Sequence, residues 1–133
     1  MIEKLKENLK KSYAPYSNFH VSAILVTKDG KEYTGVNIEN ASFGATICAE
    51  RVAITKAISE GENKENIKEI HIMCDSDKPA IPCFLCRQVF IEFFNSNVEI
   101  YIYNKSGNKE KYTLEQICPL PFSKGDLKWR AVS

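Results

Sequence analysis

Ile2, Leu5 and Leu9 repeat at helical spacing, and the pattern stops before Tyr13-Ala14-Pro15-Tyr16-Ser17-Asn18, where Pro15 biases Ala14 away from helix. A first helix and a tyrosine-rich loop are expected. Residues 19–27 (FHVSAILVT) and 31–38 (KEYTGVNI) carry β-branched and aromatic side chains on either side of Lys28-Asp29-Gly30. That turn, with Gly30 supplying positive φ, makes the pair a β-hairpin. Residues 48–60 spread Val52, Ile54, Ala57 and Ile58 around much of a helix that Gly61 ends, which predicts a largely buried helix. IKEIHIMC at 67–74 and VEIYIY at 98–103 predict two more strands. Between them a loop over 75–81 leads to Pro82, placed as the first residue of a helix over CFLCRQVFIEFF. Residues 109–113 follow a connection too short for a crossover, so they return antiparallel, before a turn of helix and an irregular tail. The order α-β-β-α-β-α-β-β implies a mixed sheet with helices packed on its faces, an α/β layer architecture.

The 133 residues are 44% hydrophobic and 26% charged, which suits one soluble domain with a single sizeable core and excludes whole-chain disorder. Eighteen basic and seventeen acidic residues leave a net charge of +1, so no bulk charge selects a nucleic acid or an anionic membrane. MIEKLKENLKK lacks the apolar core of a signal peptide, and no segment offers about 20 uninterrupted apolar residues. A cytoplasmic protein without a membrane partner is expected. In a reducing compartment the five cysteines are then the anomaly, since disulfides are not the explanation.

Two motifs offer one. Cys48-Ala49-Glu50 and Pro82-Cys83-Phe84-Leu85-Cys86 each open a predicted helix, where unpaired N–H groups and the helix dipole favour thiolate. Cys83 and Cys86 are three apart on one helical face, and both sulfurs can reach one ion. Cys48 supplies a third ligand from the cap, because residues two apart in a regular helix differ by about 200° and could not otherwise share a cleft with Glu50. Three protein ligands leave tetrahedral zinc an open position for water, with Glu50 as the base. A redox pair or a closed structural zinc site remains open on spacing alone, the latter if His20, His71, Cys74 or Cys118 completes it. His20 and His71 fall within predicted strands, and Cys74 and Cys118 are assigned to packing.

At this point the chain resembles the small homotetrameric zinc-dependent cytidine deaminases. The resemblance runs from Tyr13-Ala14-Pro15-Tyr16-Ser17-Asn18-Phe19 through Gly35-Val36-Asn37-Ile38-Glu39-Asn40-Ala41-Ser42 and Cys48-Ala49-Glu50-Arg51 to Pro82-Cys83-x-x-Cys86-Arg87-Gln88-Val89. The last two segments carry the zinc-deaminase signature in its all-cysteine form. The resemblance implies a three-layer α/β/α fold with a five-stranded mixed sheet and one domain over residues 1–133. It implies one Zn²⁺ per subunit on Cys48, Cys83 and Cys86, with Glu50 moving protons as a zinc-activated hydroxide attacks C4 of cytosine. Cytidine and deoxycytidine become uridine and deoxyuridine with loss of ammonia, as in pyrimidine salvage. Arg51 is expected to donate to ligand sulfur and offset the negative charge of three thiolates. Asn37 and Glu39 are carried to the ribose hydroxyls, Phe19 to a wall beside the nucleoside, and the Ala49 backbone to the base. Phe43 and Phe122 match positions that neighbouring subunits contribute, which implies a homotetramer with shared sites.

Two departures accompany the resemblance. Phe84-Leu85 replaces the common Gly-Ala between the paired cysteines, which places two large apolar residues near the leaving amine. A deaminase of N4- or C5-modified cytosine nucleosides, or of a nucleoside-like antibiotic, is therefore an alternative. Phe43 stands where tyrosine is usual and removes a hydroxyl from the nucleoside's 5′ side. A structural-zinc binding module is the competing reading from another class. Polynucleotide editing is disfavoured because no Lys/Arg-rich stripe is evident in the sequence.

Overall fold

The computed structural model describes residues 1–127; the end of the expected tail, 128–133, lies outside the described residues. Helix α1 (Ile2–Leu9) precedes the hairpin of β1 (Val21–Thr27) and β2 (Glu32–Val36), whose turn holds Gly30 at φ +89°. Helix α2 (Ala49–Ser59) leads to β3 (Ile67–Cys74), α3 (Phe84–Phe93) and β4 (Glu99–Tyr103). Strand β5 (Lys109–Tyr112) and the short α4 (Leu114–Ile117) follow.

The strands form one sheet in the order β2-β1-β3-β4-β5. Only β3 and β4 pair in parallel, because α3 carries the chain back across the sheet between them; the other pairs are antiparallel. Alternation along the strands sends side chains to two cores. Ala23, Leu25, Ile70, Ile72, Ile100 and Ile102 face Ala53, Ile54, Ala57 and Phe90 of α2 and α3. Ile24, Met73 and Tyr103 face Leu5 of α1 on the other side. The expected α/β architecture, with a five-stranded mixed sheet between helices, is therefore the one observed. Among the described residues no helix is long and apolar enough to cross a membrane.

The boundaries nearest the site differ from the sequence reading at three points. Strand β1 begins at Val21 instead of 19 and β2 ends at Val36 instead of 38, because the side chain of Asn37 takes over the pairing: its Oδ1 accepts the Val21 N–H at 2.9 Å. Pro82 stands one residue before the cap of α3, and Cys83 takes the cap itself.

Gly35 fixes how α2 sits on the hairpin. A Cβ there would lie 2.5 Å from the Ala49 carbonyl oxygen and 2.6 Å from the Ala53 nitrogen. The bare backbone of β2 thus lets the first turn of α2 rest directly on it. The N-termini of α2 and α3 meet near the carboxyl end of β3, where open α/β sheets collect ligands.

Candidate active site

Cys48 is the N-cap of α2 and Cys83 the N-cap of α3, both in extended backbone, while Cys86 lies in the first turn of α3. The Cys83 sulfur accepts the Cys86 N–H at 3.4 Å, the hydrogen bond a serine or aspartate cap makes elsewhere. The Cys48 and Cys83 sulfurs are 3.8 Å apart, those of Cys83 and Cys86 3.5 Å, and all three lie within 4.8 Å of one another. Sulfurs about 2.3 Å from a tetrahedral zinc stand about 3.8 Å apart, so the spacing and the all-thiol donor set fit that ion.

Among the described residues, the metal-binding cluster consists of these three cysteines alone. His71 lies on the α1 side of the sheet, bonded to Tyr103 Oη at 2.7 Å and to Glu69, and stacked on Tyr101. His20 bonds Asn18 Oδ1 at 3.2 Å. Cys74 and Cys118 are buried, with sulfurs directed at the carbonyls of Lys78 and Arg87. None of the four joins the cluster, which leaves the closed structural site without a fourth ligand among the described residues.

Negative charge in the cluster settles first on Cys48. Its thiol is held down to about 5 by its neighbours, Cys86 foremost, with Arg51 and Cys83 adding to the effect. Cys86 is pushed far above the ordinary thiol range by the neighbouring Cys48 thiolate, by burial and by the Glu50 charge. The Arg51 guanidinium lies 3.6 Å from the Cys48 sulfur and 3.4 Å from the Thr46 carbonyl oxygen. Glu50, one helical position before it, is only 5% exposed, and burial pushes its carboxyl up to about 7.

Cys48, Cys83 and Glu50 open into a cavity of about 240 Å³ that Phe19, Asn37, Glu39 and Ala49 also line. Asn37 is nearly buried; its Oδ1 accepts from Val21 N–H and from the Ser12 hydroxyl at 2.5 Å, and its Nδ2 donates to the Phe19 carbonyl at 2.7 Å. Glu39 accepts the backbone N–H groups of Tyr16 and Ser17 at 3.0 and 3.1 Å and the Ser17 hydroxyl. Ile38 bridges to both Tyr13 and Ile47, which presents Asn37 and Glu39 to the cavity.

Phe43 and Phe122 do not line this cavity. Phe43 is 77% exposed and meets Tyr16 edge-on; the Phe122 carbonyl accepts from Gln88 Nε2. The expectation for Phe84 and Leu85 is corrected. Both are exposed and neither lines the cavity, and Phe84 lies 4.3 Å under the Arg87 guanidinium. With Cys83 at the cap and Cys86 at the third helical position both turned to the cluster, the two residues between them are rotated away. Ile81, Ala80 and Thr46 form the wall instead. Sequence reasoning missed them, although Pro82 signals an extended Ile81 beside the first paired cysteine.

Residues 1–102 match the family model for the cytidine and deoxycytidylate deaminase zinc-binding region. A cytidine deaminase of Sporosarcina psychrophila is 40% identical over 131 residues, covering 98% of this chain and 95% of that protein. One of Halalkalibacterium halodurans is 40% identical over 116 residues, covering 87% and 86%. The crystal structure of cytidine deaminase from Burkholderia pseudomallei superposes with a TM-score of 0.86 at 40% identity, covering 91% of this chain and 95% of that one. With three cysteine sulfurs spaced for zinc at the mouths of two helices, the chain belongs to the zinc-binding cytidine and deoxycytidylate deaminase family.

Proposed function

We propose that the protein hydrolyses cytidine and deoxycytidine to uridine and deoxyuridine with release of ammonia, as one deaminase domain acting in the cytoplasm in pyrimidine salvage. The observation that carries this reading is the convergence of three zinc-spaced cysteines and a buried Glu50 on a cavity with one aromatic and two polar walls. Zinc held by Cys48, Cys83 and Cys86 supplies Lewis acidity that makes a water nucleophilic at neutral pH.

This chain's own groups do the rest. The Glu50 carboxylate takes a proton from the water as its oxygen bonds C4 of the cytosine, and passes protons to ring N3 and then to N4. The C4–N4 bond breaks, and N4 leaves as ammonia. Ala49, first residue of α2, offers a backbone N–H with no partner inside the helix, suited to a base carbonyl. Phe19 gives the base a flat wall, while Asn37 and Glu39 meet the ribose hydroxyls. Arg51 beside Cys48 offsets the charge that three thiolates gather.

A homotetramer completes the site in this reading. Phe43 and Phe122 are exposed apolar side chains on a molecule that also exposes Phe84, Leu85 and Leu120, and such surface is normally covered by a partner. The test is direct: zinc-loaded protein should consume cytidine, followed by its ultraviolet absorbance, with equimolar ammonia. Inertness toward every cytosine nucleoside would sink the proposal.

A further inference from the structure

Residues 12–18 fold back on the segment that carries Asn37 and Glu39. Tyr13 N–H donates to the Asn37 carbonyl at 3.0 Å, and Glu39 N–H returns to the Tyr13 carbonyl at 2.9 Å. Asn18, at φ +54°, then turns the chain so that Phe19 enters the cavity. At the apex the Ser17 hydroxyl meets two groups of the pocket at once: the Phe19 N–H at 3.0 Å and the Glu39 carboxylate.

The direction of these bonds follows from chemistry. A backbone N–H can only donate, so Ser17 Oγ accepts from Phe19 and turns its single hydrogen to Glu39. A carboxylate offers about four acceptor directions. In Glu39 the Tyr16 N–H, the Ser17 N–H and the Ser17 O–H occupy three of them, which leaves one for a ligand. The same hydroxyl is the leading cause that holds the Glu39 carboxyl below its usual range, so the group stays an acceptor.

We propose that Ser17 is a positioning residue for sugar recognition: its hydroxyl, anchored by the Phe19 N–H, orients the Glu39 carboxylate so that a single free lone pair meets one ribose hydroxyl. This rests on the reading of Glu39 as a ribose contact. Phe19 keeps a second anchor in Asn37 Nδ2, so loss of the Ser17 hydroxyl leaves the aromatic wall in place and is felt at the sugar.

The test compares zinc-loaded wild type with Ser17→Ala, Ser17→Thr, Glu39→Gln and the Ser17→Ala/Glu39→Gln pair, on cytidine and on 2′,3′-dideoxycytidine. Ser17→Ala should raise KM for cytidine about tenfold with kcat nearly unchanged, the scale of one hydrogen bond to a charged group. Its kcat/KM for the dideoxynucleoside should match wild type. Ser17→Thr, which keeps the hydroxyl, should restore the cytidine KM, and Ser17→Ala should add nothing once Glu39→Gln is present. Equal losses on both nucleosides, or losses that add in the double variant, overturn the proposal, and melting temperatures identify a variant that is merely unstable. A wild type inert toward cytidine fails the deaminase reading instead; the same comparison made on cytidine binding at equilibrium then decides the role of Ser17.

Discussion

The carboxyl group of Glu50 sits where burial works against its charge. Burial raises it from an ordinary value of 4.5 to about 7. A raised carboxyl contributes stability that is fully present below 4.5 and is lost as pH climbs through 7. Replacing it with a neutral isostere removes that loss. Metal-free Glu50→Gln should therefore melt above metal-free wild type at pH 8, by up to about 3 kcal/mol, and the two should converge toward pH 5. The zinc-loaded variant should keep its metal and lose turnover by about 10²- to 10⁴-fold. Equal melting at pH 8, or retained turnover, would contradict the role given to this side chain. Cys48, Cys83, Cys86 and Glu50 were legible in the sequence because helix caps and i, i+3 spacing fix where such side chains go. Ser12 and Ser17 were not, since their partners Asn37 and Glu39 lie 25 and 22 residues away, a distance no local period reports.

Elements followed their hydrophobic period where they are long, and departed from it where a polar side chain replaced the backbone ladder. Asn37 shortens both strands of the hairpin by accepting the Val21 N–H, and composition carries no sign of that exchange. Gly35 is similar: in sequence it is one glycine within a β-branched run, whereas in the fold it is the contact on which α2 rests. The atoms a methyl group would meet there, Ala49 O and Ala53 N, are backbone and cannot turn aside. Gly35→Ala should force α2 outward at a cost of about 1–3 kcal/mol. Since Cys48 and Glu50 ride on the start of that helix, zinc retention against a competing chelator should fall as well. The denaturation midpoint and the metal content after dialysis measure the two effects; an unchanged midpoint would mean that the contact is not a constraint.

For the whole molecule, the cluster joins two helix ends that are otherwise only lightly connected. Helix α2 packs mainly on β1 and β2, and Cys48 at its mouth lies beside Cys83 and Cys86 at the mouth of α3. The metal is therefore a tie between elements as well as a chemical centre, and binding to the folded state stabilises it by mass action, about 4 kcal/mol when free zinc is a thousand times its dissociation constant. Chelation should lower the melting temperature together with activity. The pH dependence has a definite sign. Zinc takes thiolates, and Cys86 holds its proton far above the usual thiol range beside an already charged Cys48. Protons and zinc thus compete for the same sulfur, and acidification favours the protons. The difference in melting temperature between zinc-loaded and chelated protein should be wide at pH 8 and shrink toward pH 5. A chelated protein that melts with the loaded one at pH 8 would show that the sheet and its two cores hold the helix ends without the metal.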